Sequence, residues 1–409
     1  MRLLLIHQNF PGQFRHLAAV LAARGHDVVA LGRRDQDPRI PGVTYGAYSV
    51  MEPEDPSLFS DVHLEMDLRR AERVRAACLQ LRQSGWIADT VLFHSSWGEG
   101  LYLRDVWPQQ RLVGYPELFG SPGVMGYGFD QDLGDPDADL CAAIRRRNLL
   151  GLAAIADCDV PVAPTRHQRD SFPLALRAGF RVIHEGIDVE RLAPHPDRWV
   201  VLGPDLALKH GDPVVTFCSR HLEPLRGLPT FLRSLVILQR AHRQVQVLIV
   251  GDQLKGYGPR SPHPDGHLAA MLAQLEGQLD LDRIHFLGRL DYERLLGVFQ
   301  VSAAHVYLTY PYALSWSLLE AMACGAPVVG SAGPPVNEVI TSEENGLLVD
   351  FNNPDQLAAA LLRLLEDEPL RQRLAEAGRR TVHRHYALER CADAYETLLM
   401  GRDVGLASD

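Results

Sequence analysis

The stretch that decides the fold class of this 409-residue chain is Tyr310-Pro-Tyr-Ala-Leu-Ser-Trp-Ser-Leu-Leu-Glu-Ala-Met-Ala-Cys-Gly-Ala-Pro327. The mostly apolar run at 303–308 predicts a buried parallel strand, and the Pro and Ser residues after it predict a loop. Good helix formers follow from Trp316, and Gly325 and Pro327 predict the end of that helix. A strand, a loop and a helix in this order favour an α/β fold with a parallel sheet.

The start of the predicted helix offers hydrogen-bond donors to an anion. The backbone N–H groups of Ser315, Trp316 and Ser317 would point out of the helix, where its dipole favours phosphate. Glu320 lies about one turn further along, where its carboxylate can accept hydrogen bonds from hydroxyls of the same ligand. The stretch therefore predicts a binding site for a nucleotide or a phosphosugar, although an ordinary turn of an α/β core fits it too.

Length and composition narrow the class of protein. A chain of 409 residues predicts two domains, because one hydrophobic core seldom serves so many residues. A hydrophobic content of 46% and a charged content of 22% are typical of a globular protein. The net charge of −10 argues against a general nucleic-acid binder, which would have a basic surface.

The cysteines and the N-terminus indicate the compartment. Six scattered cysteines without a Cys-x-x-Cys pair argue against a zinc site or a disulfide framework, and favour a reducing environment. The apolar run at 3–6 is too short for a signal peptide and predicts a first buried strand. Because no run reaches the length of a transmembrane helix, we expect a cytoplasmic protein.

The first half of the chain begins with a β–loop–α–β pattern. Residues 3–6 predict a strand, 7–13 a polar loop, 14–23 a helix and 27–31 the next strand. The loop follows the carboxyl end of the first strand, where open parallel sheets bind ligands. It contains no Gly-x-Gly-x-x-Gly, so a dinucleotide cofactor is not expected.

The remaining pattern alternates strands and helices in both halves. It predicts two doubly wound, Rossmann-like sheets that face an interdomain cleft. We place the domain boundary in the loop-like segment 193–212, giving domains 1–193 and 194–384, with a last helix at about 385–409 that returns to the first domain. Three further segments are predicted as irregular or helical: a surface connection at 35–60, a flexible acceptor loop with five glycines at 120–135, and one helix at 140–155.

Several segments of the second half make the chain recognisable. In their order and spacing they resemble a retaining glycosyltransferase with the GT-B fold, of glycosyltransferase family 4, and the resemblance covers nearly the whole chain. The segments 7–17, 114–119 and 163–173 further resemble a bacterial branch of that family. Besides the opening stretch, the matching segments are Glu185-Gly-Ile-Asp188, Ser219-Arg-His-Leu-Glu-Pro-Leu-Arg-Gly227, Gly288-Arg-Leu290 and Asn345-Gly-Leu-Leu-Val349.

The resemblance implies roles for the matching residues in binding a nucleoside-diphosphate sugar. Arg220 and Arg226 would stabilise the departing diphosphate, with Arg226 in place of the family's Lys. Glu320 would bind the ribose. The other implied donor-binding residues are Gly288, Arg289 and Leu290 beside the base, and Leu314, Ser315, Trp316 and Ser317 beside the phosphates.

The sequence departs from the family at the place where the donor sugar is held. The family's Glu-x7-Glu motif has an acid eight positions before the one matched by Glu320, and here Tyr312 occupies that place among the donor-binding residues. The Phe-Gly that opens the phosphate loop is Leu314-Ser315 here. Binding of ribose and diphosphate can survive both changes, whereas recognition of the sugar hydroxyls has to be different.

The first half supplies the remaining candidates. His94, at the end of a predicted strand, matches the active-site His of the family, and with Arg220 and Arg226 it completes the candidate catalytic residues. Gln13 and Glu117 are the candidate acceptor contacts, and Gly12 would let the backbone approach the donor. The basic run at 145–147 could attract a lipid diphosphate, but a solvated helix face also explains it.

By resemblance the reaction retains the anomeric configuration through front-face attack and needs no metal and no cofactor. Three Asp-x-Asp triplets, at 35–37, 130–132 and 157–159, could suggest a metal-dependent transferase, but so short a motif arises by chance. The expected partners are a nucleotide-sugar donor and a hydroxyl acceptor, whether a glycan, a lipid-linked sugar or a small natural product. We expect no nucleic acid, and no basic amphipathic helix supports peripheral membrane contact.

Two other functions are compatible with the same residues. A sugar-nucleotide epimerase or a phosphorylase would keep the fold and change the reaction. A non-catalytic nucleotide-sugar-binding subunit is suggested by the missing acid at Tyr312. Because Arg220, Arg226 and Glu320 are all present, we favour the active transferase.

Overall fold

The computed structural model describes residues 1–50, 61–204, 206–253, 256, 258, 261 and 263–402, and its contacts divide into two compact units. The first unit contains Met1–Pro122, Pro136–Asp188 and the segment that begins at Tyr386. The second contains Val189–His385 together with Gly123–Asp135. The parts of the sequence predictions that concern 51–60 and 403–409 lie outside the described residues.

The strands are short and mostly buried. In chain order they are β1 (Arg2–Ile6), β2 (Asp27–Gly32), β3 (Val43–Ala47), β4 (Thr90–His94), β5 (Arg111–Tyr115), β6 (Val160–Ala163), β7 (Arg181–Val182), β8 (Trp199–Gly203), β9 (Leu206–Lys209), β10 (Val214–His221), β11 (Gln246–Asp252), β12 (Ile284–Gly288), β13 (Ala304–Tyr307), β14 (Val328–Ser331) and β15 (Leu347–Val349).

Helices fill most of the intervals between these strands. They are α1 (Arg15–Ala23), α2 (Asp61–Gln83), α3 (Leu103–Val106), α4 (Ala138–Arg147), α5 (Leu149–Asp157), α6 (Arg166–Asp170), α7 (Leu174–Arg177), α8 (Leu228–Ala241), α9 (Gly266–Gln274), α10 (Tyr292–Gln300), α11 (Trp316–Ala323), α12 (Pro334–Asn337), α13 (Pro354–Glu366), α14 (Glu368–His385) and α15 (Leu388–Leu399).

The first unit is built on a parallel sheet with the order β3-β2-β1-β4-β5-β6-β7. Leu3 and Leu5 pack with α1 and α15 on one face, while Leu4 and Ile6 pack with α2 on the other. Burial on both faces explains why β1 reads as a continuous apolar run. The strand order reverses between β1 and β4, and open sheets bind ligands at such a switch point.

The second unit repeats this design with the order β12-β11-β10-β13-β14-β15. Phe217 of β10 stacks on Phe231 of α8 with ring centroids 4.6 Å apart, inside the cluster that also holds α13. Val214 lies in a separate cluster with α10 residues on the opposite face. Here the order reverses between β10 and β13, so the opening stretch of the sequence analysis follows a switch-point strand.

The structure confirms the predicted strand and helix around that stretch and corrects three other predictions. The connection predicted at 35–60 contains β3, an edge strand that pairs with β2 and lacks a continuous apolar run. The loop-like segment 193–212 contains the hairpin β8–β9, because its apolar side chains alternate and pack on the α10 face of the sheet. The helix predicted at 140–155 is two helices that meet at Asn148.

Candidate active site

Arg226 is fixed beside the carboxyl end of β13 in the second unit. Its Nη1 lies 2.7 Å from Thr309 Oγ1, 3.4 Å from the Tyr307 hydroxyl and 3.5 Å from the Ala313 carbonyl oxygen. All three acceptors are neutral, so they orient the guanidinium without cancelling its charge. An arginine that neutral groups hold in place is well suited to bind a phosphate or a carboxylate.

The start of α11 differs from the sequence prediction in how its donors are used. The Ser315 N–H donates to the Tyr307 hydroxyl at 2.8 Å, and the Ser317 N–H points to Ser315 Oγ at 3.4 Å. Ser315 therefore caps its own helix, which is the usual role of serine at this position. Two of the three N–H groups predicted to face phosphate have partners inside the protein, and the Ser315 and Ser317 hydroxyls lie 3.0 Å apart.

Glu320 is buried one turn into α11, as the helix pattern predicts. One of its carboxylate oxygens accepts a hydrogen bond of 2.8 Å from the Tyr292 hydroxyl at the start of α10. Burial, and then the charge of Glu320, raise the pKa of the Tyr292 hydroxyl, which therefore remains a donor. Tyr292 was not among the predicted site residues. The only signal for it in the sequence was its position two residues after Leu290, which is predicted to lie beside the base.

The other donor-site candidates have less defined surroundings. Arg220 and Arg289 are exposed at the ends of β10 and β12, with no hydrogen bond to another described residue. Gly288 ends β12, and Leu290 packs partly buried on the cluster beside it. Tyr312 and Leu314 pack inward, Tyr312 against the main core of the unit.

The first unit brings four of its predicted residues together at the β1–β4 switch point. Gln13 Nε2 donates to Glu117 Oε1 at 3.0 Å, and His94 Nε2 lies 3.4 Å from Glu117 Oε2. His94 is fully buried, whereas the Glu117 side chain is 31% exposed. An external ligand can therefore reach Glu117 and the partly exposed Gln13, whereas His94 lies behind them.

His7 extends this network and explains the neighbouring glycine. Its Nδ1 accepts from the Asn9 N–H at 2.9 Å, which leaves Nε2 to donate to Gln13 Oε1 at 2.7 Å. Burial and the nearby His94 hold the pKa of His7 well below its usual value, so this ring is neutral. Gly12 has φ +45°, and a Cβ there would lie 2.5 Å from the His7 ring, so packing in the protein already requires glycine.

The backbone at Glu117 is held in an unusual conformation. Its φ of +31° is rare for a residue with a side chain, and such strain is common at functional sites. Gln168 Nε2 donates to the Glu117 carbonyl oxygen at 2.9 Å and so stabilises the turn. The position of the Glu117 carboxylate is thus set by the conformation of its own backbone as well as by its contacts with Gln13 and His94.

Two other sequence hypotheses meet different outcomes. In the basic run, Arg145 and Arg146 are exposed, as a solvated helix face predicts, whereas Arg147 pairs with Asp67 at 2.5 Å and lies over the Trp97 ring. In the Asp-x-Asp triplets, Asp130 accepts from Tyr310 and Asp159 pairs with Arg104. Among the described residues no cluster of three or more His, Cys, Asp or Glu side chains is arranged to hold a metal ion.

The six cysteines are free thiols, three of them buried. Within the described part of the chain, no helix is both long enough and apolar enough to span a bilayer.

Comparison with known proteins follows the two halves of the chain. Residues 24–192 match the model for the glycosyl transferase family 4 group, and residues 204–381 match that for glycosyl transferases group 1. A D-inositol 3-phosphate glycosyltransferase of Corynebacterium jeikeium is 30% identical over 204 residues, which are 49% of this chain and 47% of that protein. The chain spans about half the length of the curated relatives it matches.

Solved structures show the same fold over the whole chain. Sucrose-phosphate synthase from Thermosynechococcus elongatus superposes with a TM-score of 0.73 at 20% identity, covering 98% of both chains. HepE from Anabaena, solved with UDP and glucose, gives a TM-score of 0.69 at 16% identity, covering 98% of this chain and 100% of that one. The chain therefore belongs to glycosyltransferase family 4, the group 1 glycosyltransferases, and has the GT-B fold.

Proposed function

We propose that this chain is an active glycosyltransferase that moves a sugar from a nucleoside-diphosphate donor to a hydroxyl acceptor, with retention and without a metal ion. The observation that carries the proposal is the Arg226 guanidinium, which neutral acceptors fix next to the start of α11. Such a cation, placed where negative charge develops, stabilises a departing diphosphate.

The donor would be bound by the second unit. Arg226 and the exposed Arg220 would contact the diphosphate, with the Ser315 and Ser317 hydroxyls as further donors. Glu320 would accept from the ribose hydroxyls, and Gly288, Arg289 and Leu290 would lie beside the base. The HepE structure contains UDP and glucose on the same fold, which supports a nucleotide-sugar donor.

The acceptor would be bound by the first unit, where the Glu117 carboxylate is partly exposed. In the reaction the bond from the anomeric carbon to the phosphate oxygen breaks, and the acceptor oxygen bonds to that carbon on the same face. The proton of the acceptor hydroxyl passes to the leaving phosphate oxygen. No enzymic base is needed on this route, so Glu117 would orient the acceptor by accepting from another of its hydroxyls, and His94 and Gln13 hold Glu117.

The test is a panel of UDP-, GDP- and ADP-sugars assayed with the full chain for nucleoside-diphosphate release and for a rise in Tm. We expect one base to give both signals, and Glu320→Ala to weaken nucleotide binding about tenfold through the lost ribose hydrogen bonds. Glu366→Gln, an exposed acid on α13, is the matched control and should bind like the wild type. No response to any donor would refute the proposal.

A non-catalytic nucleotide-sugar-binding subunit is the second candidate, because Tyr312 replaces the acid expected near the donor sugar. In that case a donor would bind and raise Tm, but neither hydrolysis nor transfer would appear with any acceptor extract. Analysis of the products separates transfer from epimerisation, which needs no acceptor.

A further inference from the structure

The segment Gly123–Asp135 belongs to the second unit, although the residues on both sides of it belong to the first. We propose that this segment holds in place the loop between β13 and α11, residues 308–315, with Asp130 acting through Tyr310 as a positioning residue. The inference rests on the proposed function, since it concerns the same donor site.

The central contact joins two buried side chains. Asp130 is 8% exposed and Tyr310 is fully buried, and the Tyr310 hydroxyl donates to Asp130 Oδ2. The other oxygen, Oδ1, accepts from the Asp132 N–H at 2.9 Å. Because both oxygens are engaged inside the protein, Asp130 positions Tyr310 and does not itself bind the sugar.

Tyr310 connects this contact to both sides of the candidate donor site. Its N–H donates to the Leu225 carbonyl oxygen at 3.0 Å, directly before Arg226 in the chain. Its own carbonyl oxygen accepts from the Tyr312 N–H at 2.6 Å. A shift of Tyr310 would therefore displace mainly the backbone at Tyr312, because the Arg226 guanidinium is held separately by Thr309 Oγ1 and the Tyr307 hydroxyl.

Further contacts fix the segment on this surface. Gly126 has φ +98°, and a Cβ there would lie 2.3 Å from the Tyr310 ring, so the backbone lies directly on the ring. Phe129 packs against Phe351 with centroids 5.1 Å apart, and Asn352 Nδ2 donates to the Phe129 carbonyl oxygen at 2.8 Å. Composition predicts a flexible acceptor loop at 120–135, whereas the structure shows residues 126–130 bound to the second unit.

The arrangement also bears on the missing acid. In this chain Tyr312 cannot provide a carboxylate, so the geometry of the loop around it has to define the donor-sugar site. A segment that fixes Tyr310 would therefore influence binding of the sugar part more than binding of the nucleotide part.

The experiment compares four full-length proteins: wild type, Asp130→Asn, Tyr310→Phe and the double variant. Asp132→Asn is the matched control, because it lies in the same segment and is an exposed acid that pairs with Arg233 at 3.1 Å. Titration calorimetry measures Kd for the nucleoside diphosphate and for the nucleotide sugar that the wild type hydrolyses. Circular dichroism checks that each variant folds. If Asp130→Asn does not fold, Tyr310→Phe still tests the contact, because it removes the hydroxyl and keeps the ring.

We expect each single variant to weaken nucleotide-sugar binding about 3- to 10-fold and to change nucleoside-diphosphate binding less than about twofold. The double variant should lose no more than one single variant, because both changes break the same contact. Losses that multiply, an equal loss for both ligands, or wild-type affinity in both singles would overturn the inference. If the wild type binds no nucleotide sugar at all, the proposed function fails first, and that result is visible before any variant is compared.

Discussion

The two units place polar groups at the same point of the same topology but use them in different ways. At the β1–β4 switch point of the first unit, polar side chains bond to one another, and Gln13 and His94 both meet the Glu117 carboxylate. Beside the β10–β13 switch point of the second unit, Arg226 is oriented by neutral oxygens and keeps its charge. One unit therefore presents a carboxylate and the other a cation.

This difference matches the two substrates of a glycosyl transfer. A diphosphate carries negative charge that grows as the glycosidic bond breaks, so a fixed cation suits it. A substrate with several hydroxyl groups carries no charge, and the hydroxyls that do not react can donate hydrogen bonds to a carboxylate. If the assignment is right, changes in the second unit should affect both donor hydrolysis and transfer, and changes in the first should affect transfer alone.

The largest effect is expected for the cation. Arg226→Ala should lower kcat/KM about 10²- to 10³-fold for both donor hydrolysis and transfer, the usual cost of removing one group that stabilises developing charge. Arg226→Lys keeps the charge and should lose about tenfold less. Steady-state kinetics with product chromatography measure both reactions. A loss of less than about threefold in Arg226→Ala would remove Arg226 from the mechanism.

The carboxylate of the first unit should show a smaller and more selective effect. Glu117→Gln keeps the shape of the side chain but removes the charge that accepts from His94, and transfer should fall about 10- to 30-fold. Donor hydrolysis should remain within about twofold of wild type. Glu344→Gln, at an exposed site, is the control. Equal losses in hydrolysis and transfer would contradict the division of roles between the units.

Local chemistry made much of the fold predictable from the sequence. Buried parallel strands such as β1 and β13 read as apolar runs, and Gly325 follows the end of α11 as predicted. The edge strand β3 was missed because it lacks such a run. The hairpin β8–β9 was missed although 199–202 is apolar, because the flanking Pro and Gly residues of its segment are typical of a loop. The break at Asn148 depends on a tertiary contact with Gly120. The Gly120 N–H donates to Asn148 Oδ1, and Asn148 Nδ2 donates to the Gly120 carbonyl oxygen, both at 2.9 Å.

The sequence offered site candidates where a strand end or a family motif marked them. His94 and Glu117 were chosen because they follow predicted strands and Arg226 because of the family resemblance, and their roles stay predictions. Tyr292 and Asp130 were not among these candidates, because their contacts are with partners distant in the chain, Glu320 for Tyr292 and Tyr310 for Asp130. Periodicity and motif spacing carry no information about such side-chain pairs.

Buried histidines allow the stability of the two units to be compared through pH. Burial lowers the pKa of His305 in the second unit to about 3, and burial with His94 lowers that of His7 in the first. In the unfolded chain these histidines have a pKa of about 6.5. Below that pH the unfolded chain binds a proton that the native chain does not, so the free energy of unfolding decreases as the pH is lowered. One such histidine lowers the free energy of unfolding by about 1.4 kcal/mol at pH 5.5, relative to its value above pH 7.5.

Urea unfolding at pH 7.5 and 5.5 measures this loss in the wild type, His305→Gln and His7→Gln. Each variant should lose less stability on acidification than the wild type, since it removes one group that protonates only when unfolded. The smaller loss of stability in His305→Gln, compared with the wild type, should persist down to about pH 3, which is the native pKa of His305. A variant with the wild-type pH dependence would show that its histidine does not contribute.

The smallest effect is expected where a carboxylate of the second unit is held by a neutral partner, as Glu117 is held by Gln13 in the first. Tyr292→Phe removes the hydroxyl that donates to Glu320 at 2.8 Å, and should raise the donor KM about three- to fivefold with kcat unchanged. In Glu320→Gln the same Tyr292 change should have less effect, because the amide accepts more weakly than a carboxylate. A Tyr292→Phe effect of equal size in both backgrounds would mean that the tyrosine acts on the donor without Glu320. The second unit would then position its ligand groups independently, in contrast to the connected network around Glu117.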